Sequence, residues 1–134
     1  MSTYVSNDVT RIRPTFKAVT ADTTLTAAES GQIIILDAIG EAITLPAVSE
    51  GLNYKFICSV TAVTTDWTIV AATDVIYGSA QVAGAVVPAS AENTITLVVA
   101  KFLPGDWVSL ISDGTNWYVE GSVVSGAGCT FTAP

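Results

Sequence analysis

Apolar and polar side chains alternate along Thr94-Ile95-Thr96-Leu97-Val98-Val99, so that Ile95, Leu97 and Val99 fall on one side of an extended chain. That period predicts a strand with one face on a core and the other in water. Similar short runs recur: Gln32–Leu36, Ala42–Leu45, Asn53–Val60, Trp67–Ala71, Val75–Tyr77, Thr94–Ala100, Trp107–Ser112 and Trp117–Gly121 are the candidate strands. Turn formers separate them at Asp37–Gly40, Pro46–Leu52, Ala72–Asp74, Pro104-Gly105-Asp106 and Asp113-Gly114-Thr115-Asn116. Only Thr26–Ser30, a Thr cap with one short turn that Gly31 ends, permits a helix. The pattern therefore predicts an all-β fold, an antiparallel β-sandwich or barrel of jelly-roll type.

Composition strengthens that class. Thr, Val and Ile number 18, 17 and 11 of 134 residues, and such β-branched side chains pack well on a pleated surface while losing rotamer freedom in helices. With 50% hydrophobic and 13% charged residues, the chain is too apolar for a wholly disordered protein and has the length of one domain. Ile33–Ile35 and the uncharged run Ala83–Ala89 carry more apolar surface than one small domain hides. The first reads as a strand buried on both sides or sealed by a neighbouring subunit, and the second would be an exposed patch on a monomer, while Trp107–Ile111 reads as covered on both faces. An oligomer is expected.

Charge divides the chain. Arg11, Arg13 and Lys17 against Asp8 leave residues 1–20 at +2 within a total of −7, so the remainder carries −9. This marks residues 1–20 as an extended basic N-terminal arm and residues 21–134 as a single sandwich domain. The acidic body argues against nucleic acid and anionic membrane as partners. Met1–Thr10 has no basic region followed by an apolar run and no segment approaches the length of a membrane span, which predicts a soluble product.

Candidate chemistry is sparse. The sequence has no His, so triads built on one are excluded, together with the commonest metal ligand. Its acids are scattered in turns rather than paired across a cleft. Asp113–Asn116 offers too few oxygen ligands for a calcium loop and reads as a hairpin turn, and the glycines fit no phosphate loop. Neither catalytic residues, metal nor cofactor are expected. Cys58 and Cys129, 71 positions apart, read as small buried hydrophobes rather than a disulfide or a metal pair. Trp67, Trp107 and Trp117 with Tyr118 allow a sugar-stacking platform, but anchoring the core is the favoured role, above all for Trp117.

The hairpin Pro104-Gly105-Asp106-Trp107-Val108-Ser109-Leu110-Ile111-Ser112-Asp113-Gly114-Thr115-Asn116-Trp117-Tyr118-Val119 resembles a module of tailed-bacteriophage structural proteins. Leu25–Gln32, Ile43-Thr44-Leu45-Pro46 and Gly51–Phe56 extend the likeness over roughly residues 24–121. It is most similar to the head decoration, or cement, proteins. The resemblance implies a non-enzymatic protein, made in the host cytoplasm, that sits on the capsid surface of the virion as a homotrimer, binds the major capsid protein and stabilises the shell by bridging its subunits. The attachment residues expected are Arg11, Ile12, Arg13, Phe16 and Lys17, the cations for acidic groups on the shell and Ile12 and Phe16 as apolar anchors. The alternative is a tail-fibre or baseplate module whose loops bind a receptor glycan.

Overall fold

The computed structural model describes residues 13–133. Twelve strands form two packed sheets: β1 (Phe16–Val19), β2 (Thr23–Thr24), β3 (Ile33–Leu36), β4 (Ala42–Thr44), β5 (Asn53–Cys58), β6 (Trp67–Val70), β7 (Ile76–Val82), β8 (Ala85–Glu92), β9 (Thr94–Leu97), β10 (Trp107–Ser112), β11 (Trp117–Val123) and β12 (Cys129–Thr132). The front sheet has the order β1-β3-β5-β10-β11-β7-β8 and the back sheet β12-β9-β6-β4-β2. Among the described residues the one helical element is a single 3-10 turn at Ala27–Glu29, where Thr26 and Glu29 form a capping box. No helix of the described residues is long and apolar enough to cross a membrane.

The all-β sandwich agrees with the sequence reading, while the pairing departs from a wholly antiparallel one. Five pairings are antiparallel. Five others, β1–β3, β3–β5, β7–β11, β2–β4 and β4–β6, are parallel. For the four pairings within β1 to β6 the cause is the route of the chain: it alternates between the sheets, so each strand returns to its own sheet after two reversals and runs in the same direction as before. A strand of the opposite sheet thus serves as the crossover that a helix usually supplies between parallel neighbours.

The core lies between the sheets, where inward positions alternate as the period demands. Tyr54, Phe56 and Cys58 of β5 face Ile43, Trp67, Ile69, Ile95 and Leu97 of the back sheet, and all are buried. Trp67 and Trp117 are each 1% exposed, which gives both the core role. Burial leaves no polar tip of the larger aromatics stranded. Trp67 Nε1 donates to the Asp37 carbonyl at 3.0 Å, and Tyr54 Oη donates to the Thr26 carbonyl at 2.6 Å. The rings of Tyr54 and Trp117 meet tilted, with centroids 6.0 Å apart. Gly78 permits the parallel β7–β11 approach: its φ is +130°, and a Cβ there would run into the Val119 carbonyl.

One boundary moves. The sequence reading extends the arm to residue 20, yet β1 lies in the front sheet, Val19 is 2% exposed in the core, and the Ile33 amide donates to the Thr15 carbonyl at 2.9 Å. The folded body therefore begins by Thr15, because the apolar end of this basic stretch completes a sheet edge. Ala83–Ala89 is exposed at Ala83–Val86 and Pro88, as expected, and forms a turn and an edge strand. Ala83 and Gly84, both with positive φ (50° and 81°), make a two-residue turn of the I′ kind joining β7 to β8. β8 is the other edge of the front sheet.

Candidate functional site

Strand register sorts the outward side chains of the front sheet into rows. One row runs Ala18, Ile35, Ile57, Trp107, Ser122, Gln81, Val86 across all seven strands. The next carries Phe16, Ile33, Lys55, Ser109 and Glu120. A third carries Asn53, Ile111, Tyr118 and Tyr77. The exposed members are large: Phe16 is 60% exposed, Val86 65%, Ile111 52% and Tyr118 41%. Ile33, Ile35, Ile57 and Trp107 are half-buried by their neighbours in the sheet rather than by a covering layer.

The expectation that the strands at Ile33–Ile35 and Trp107–Ile111 are covered on both faces is therefore not met among the described residues. Each has one face in the core and one outward. On the outer face the chemistry changes along the sheet. Over β1, β3 and β5 it is aliphatic and aromatic, interrupted by Lys55, whose ammonium stands 4.7 Å from the Trp107 ring centroid. Over β10, β11 and β7 it mixes Trp107 and Tyr118 with Ser79, Gln81, Ser109, Glu120 and Ser122, around two shallow grooves of about 300 and 290 Å³.

The back sheet presents a different outer face. Thr24, Thr44, Val70, Thr94 and Thr132 form one row, and Ala42, Thr68, Thr96 and Thr130 the next. Neither row carries a charged side chain.

Of the attachment residues, Arg11 and Ile12 lie outside the described residues. Arg13 is exposed just before β1, and Phe16 projects from β1 onto the front face. Lys17 is committed within the chain, with Nζ 2.6 Å from Glu29 Oε2. That contact, followed by the Thr26 amide donating to the same carboxylate, holds the Glu29 carboxyl below its ordinary pKa. The proposed sugar platform is split, for Trp67 and Trp117 are inside while Trp107 and Tyr118 stand on the front face.

The acids act chiefly as backbone acceptors. Asp113 takes the Thr115 and Asn116 amides on Oδ1, both at 2.8 Å, and the Tyr118 hydroxyl on Oδ2 at 2.7 Å, so 113–116 is the hairpin turn expected. The bond from the Asn116 amide, then those from Tyr118 and Thr115, lower the Asp113 pKa. Buried Asp106 accepts the Leu103 amide at 2.8 Å and the Val124 amide at 3.3 Å, tying the turn before β10 to the end of β11. Glu41 is raised by desolvation and then by the neighbouring Asp22. Cys58 and Cys129 are buried free thiols, pushed up to about 11 and about 12 chiefly by burial. They are protonated at neutral pH and poor nucleophiles.

Sequence reasoning missed Ile57 and Ile111 as surface residues, whereas Val86 falls in the run Ala83–Ala89 expected to be exposed. Parity exposes the first two: once Tyr54 and Phe56 are inward, Ile57 must point out, and once Val108 and Leu110 are inward, so must Ile111. No family model, no curated protein and no solved structure matches the chain.

Proposed function

We propose that the chain is a non-enzymatic structural protein of a phage virion, which docks on the outer surface of the capsid, contacts the major capsid protein and stabilises the shell by bridging subunits as a homotrimer. The observation that carries this reading is the aliphatic part of the front face, where Phe16, Ile33, Ile35 and Ile57 form a contiguous outward patch at the root of the basic segment. An apolar centre with cations at its rim is the usual anatomy of a protein interface. Arg13 supplies the described rim cation, and Arg11 lies two positions earlier in the sequence. Lys17 serves instead to hold β1 against the 3-10 turn through Glu29. The open edge of β8, with Val86 exposed, offers a surface for a second copy.

Co-sedimentation with undecorated capsids tests the reading. The full chain is expected to bind, Phe16→Asp to lose binding, and deletion of residues 1–12 to weaken it; the deletion stops there because Thr15 and Phe16 already belong to the sheet. Full occupancy by both variants would remove the proposed attachment surface. Sedimentation equilibrium is expected to give the mass of three chains, and a clean monomer refutes the trimer.

A further inference from the structure

The polar half of the front face, over β10, β11 and β7, has features that docking on a protein shell does not require. Two grooves lie side by side and share Glu120. One is lined by Ser109, Ile111, Tyr118 and Glu120, the other by Trp107, Ser122, Gln81, Ser79 and Glu120. We propose that these grooves form a binding site for an uncharged hexopyranose polysaccharide, lying across the three strands between Trp107 and Tyr118. This site is independent of the capsid-docking patch, which uses β1, β3 and β5.

Three observations converge on that ligand. First, the two aromatics bracket a polar strip. The Trp107 and Tyr118 rows lie on either side of the row that holds Ser109 and Glu120. A sugar ring has an apolar C–H face and a polar hydroxyl rim, and an aromatic beside a hydroxyl-rich strip matches both at once. Second, the strip is free to bind: among the described residues, the side chains of Ser79, Gln81, Ser109, Glu120 and Ser122 make no hydrogen bond, unlike Asp66, Asp106 and Asp113, which are engaged by backbone amides. Hydroxyl, amide and carboxylate groups together donate to and accept from vicinal sugar hydroxyls.

Third, Tyr118 is held in place before any ligand arrives. Its hydroxyl is fixed by Asp113 Oδ2 at 2.7 Å, and Asp113 is itself fixed by two turn amides. Side chains ordered in advance lose little entropy on binding. The Glu120 carboxylate at the centre, on a body of net negative charge, selects against uronic acids and sulfated or phosphorylated glycans, so the ligand is neutral.

Isothermal titration calorimetry of the full chain with maltohexaose, cellohexaose, mannohexaose and chitohexaose tests the proposal. Saturable binding of at least one is expected. Trp107→Ala and Tyr118→Ala should each weaken it by at least about tenfold, the factor that corresponds to about 1.4 kcal/mol. Tyr118→Phe, which keeps the ring but frees it from Asp113, should weaken it less than Tyr118→Ala. Glu120→Gln should lower affinity while Thr96→Ala on the back sheet leaves it unchanged. Circular dichroism confirms that each variant is folded. No saturable heat with any of the four sugars, or binding indifferent to Trp107 and Tyr118, overturns the site. Binding of a proline-rich peptide in place of the sugars also overturns it. Capsid co-sedimentation of Tyr118→Ala should remain intact, which separates failure of this site from failure of the docking patch.

Discussion

The two outer faces of the sandwich are built on the same alternation and finished differently. Inside, both sheets present Ile, Leu, Val and aromatic residues at every second position. Outside, the back sheet repeats Thr at 24, 44, 68, 94, 96, 130 and 132, a residue with the β-branched shape that suits a strand and a hydroxyl that keeps it hydrated. The front sheet places Phe16, Ile33, Ile35, Ile57, Trp107, Ile111 and Tyr118 at equivalent positions. Thr satisfies the strand equally well there, so strand formation does not explain the Ile and aromatic residues. A partner does. The difference between the faces is the information about function, and the shared interior is the information about fold.

The largest expected effect falls on what the two faces share. Trp117 begins β11 in the front sheet, packs on Tyr54, and closes one end of the core. Trp117→Ala should destabilise by about 3–5 kcal/mol, the range for deleting a large buried aromatic, as read by urea denaturation. Stability within about 1 kcal/mol of the parent would show that the end of the sandwich tolerates a cavity and that the core is less tightly shared than the burial indicates.

Exchange of the two finishes gives a smaller effect on stability and a large one on binding. Ile33→Thr with Ile35→Thr makes the front face resemble the back; each half-buried substitution should cost about 0.5–1 kcal/mol while abolishing capsid co-sedimentation. The converse change, Thr68→Ile with Thr96→Ile, should leave capsid binding as it was and promote self-association, detected by light scattering, because it creates a second apolar face. Loss of capsid binding in the back-sheet variant as well would erase the distinction between the faces.

Much of this architecture is legible in the sequence, and the reasons for the remainder are physical. The strands at β3, β4, β5, β6, β9, β10 and β11 follow from short apolar and β-branched runs between turn formers, with alternation clean at β9 and a run of Ile at β3, and Thr26–Ser30 announces its turn by Thr and Gly. The β7–β8 hairpin was hidden because Gly78 and Pro88 interrupt its strands and its turn is Ala83-Gly84, where the usual first residue is Asn or Asp. β1 lies in the basic segment that reads as an arm, β2 is two residues long, and β12 follows a Gly-rich stretch, so none stands out as a strand. Parallel pairing was illegible for another reason: a loop that carries the chain to the opposite sheet has the same Gly, Pro and Asp composition as one that folds it back on its own. For the candidate site, Phe16 stands exposed on the front face, while Lys17, expected to face a partner, pairs locally with Glu29. A charge count does not reveal which cations are already engaged.

That engagement gives the smallest prediction and one that separates the front edge from the rest of the fold. The Lys17–Glu29 pair ties edge strand β1 to the 3-10 turn, and Glu29 has a folded-state pKa below its ordinary value of 4.5, through Lys17 first and the Thr26 amide next. Because the folded value is depressed, the contribution is complete above the unfolded pKa and is lost as pH falls through the folded one. Both side chains are partly exposed, so the pair is expected to contribute at most about 1 kcal/mol. Glu29→Gln should therefore lower stability slightly at pH 7 and have no effect at pH 2, and hydrogen exchange should quicken at the Ile33 amide, which β1 protects through the Thr15 carbonyl. The Thr68 amide, which donates to the Glu41 carbonyl in the back sheet, should exchange as before. Equal acceleration at both amides would mean that the edge of the front sheet does not open on its own, and that the two halves of the sandwich respond as one cooperative unit.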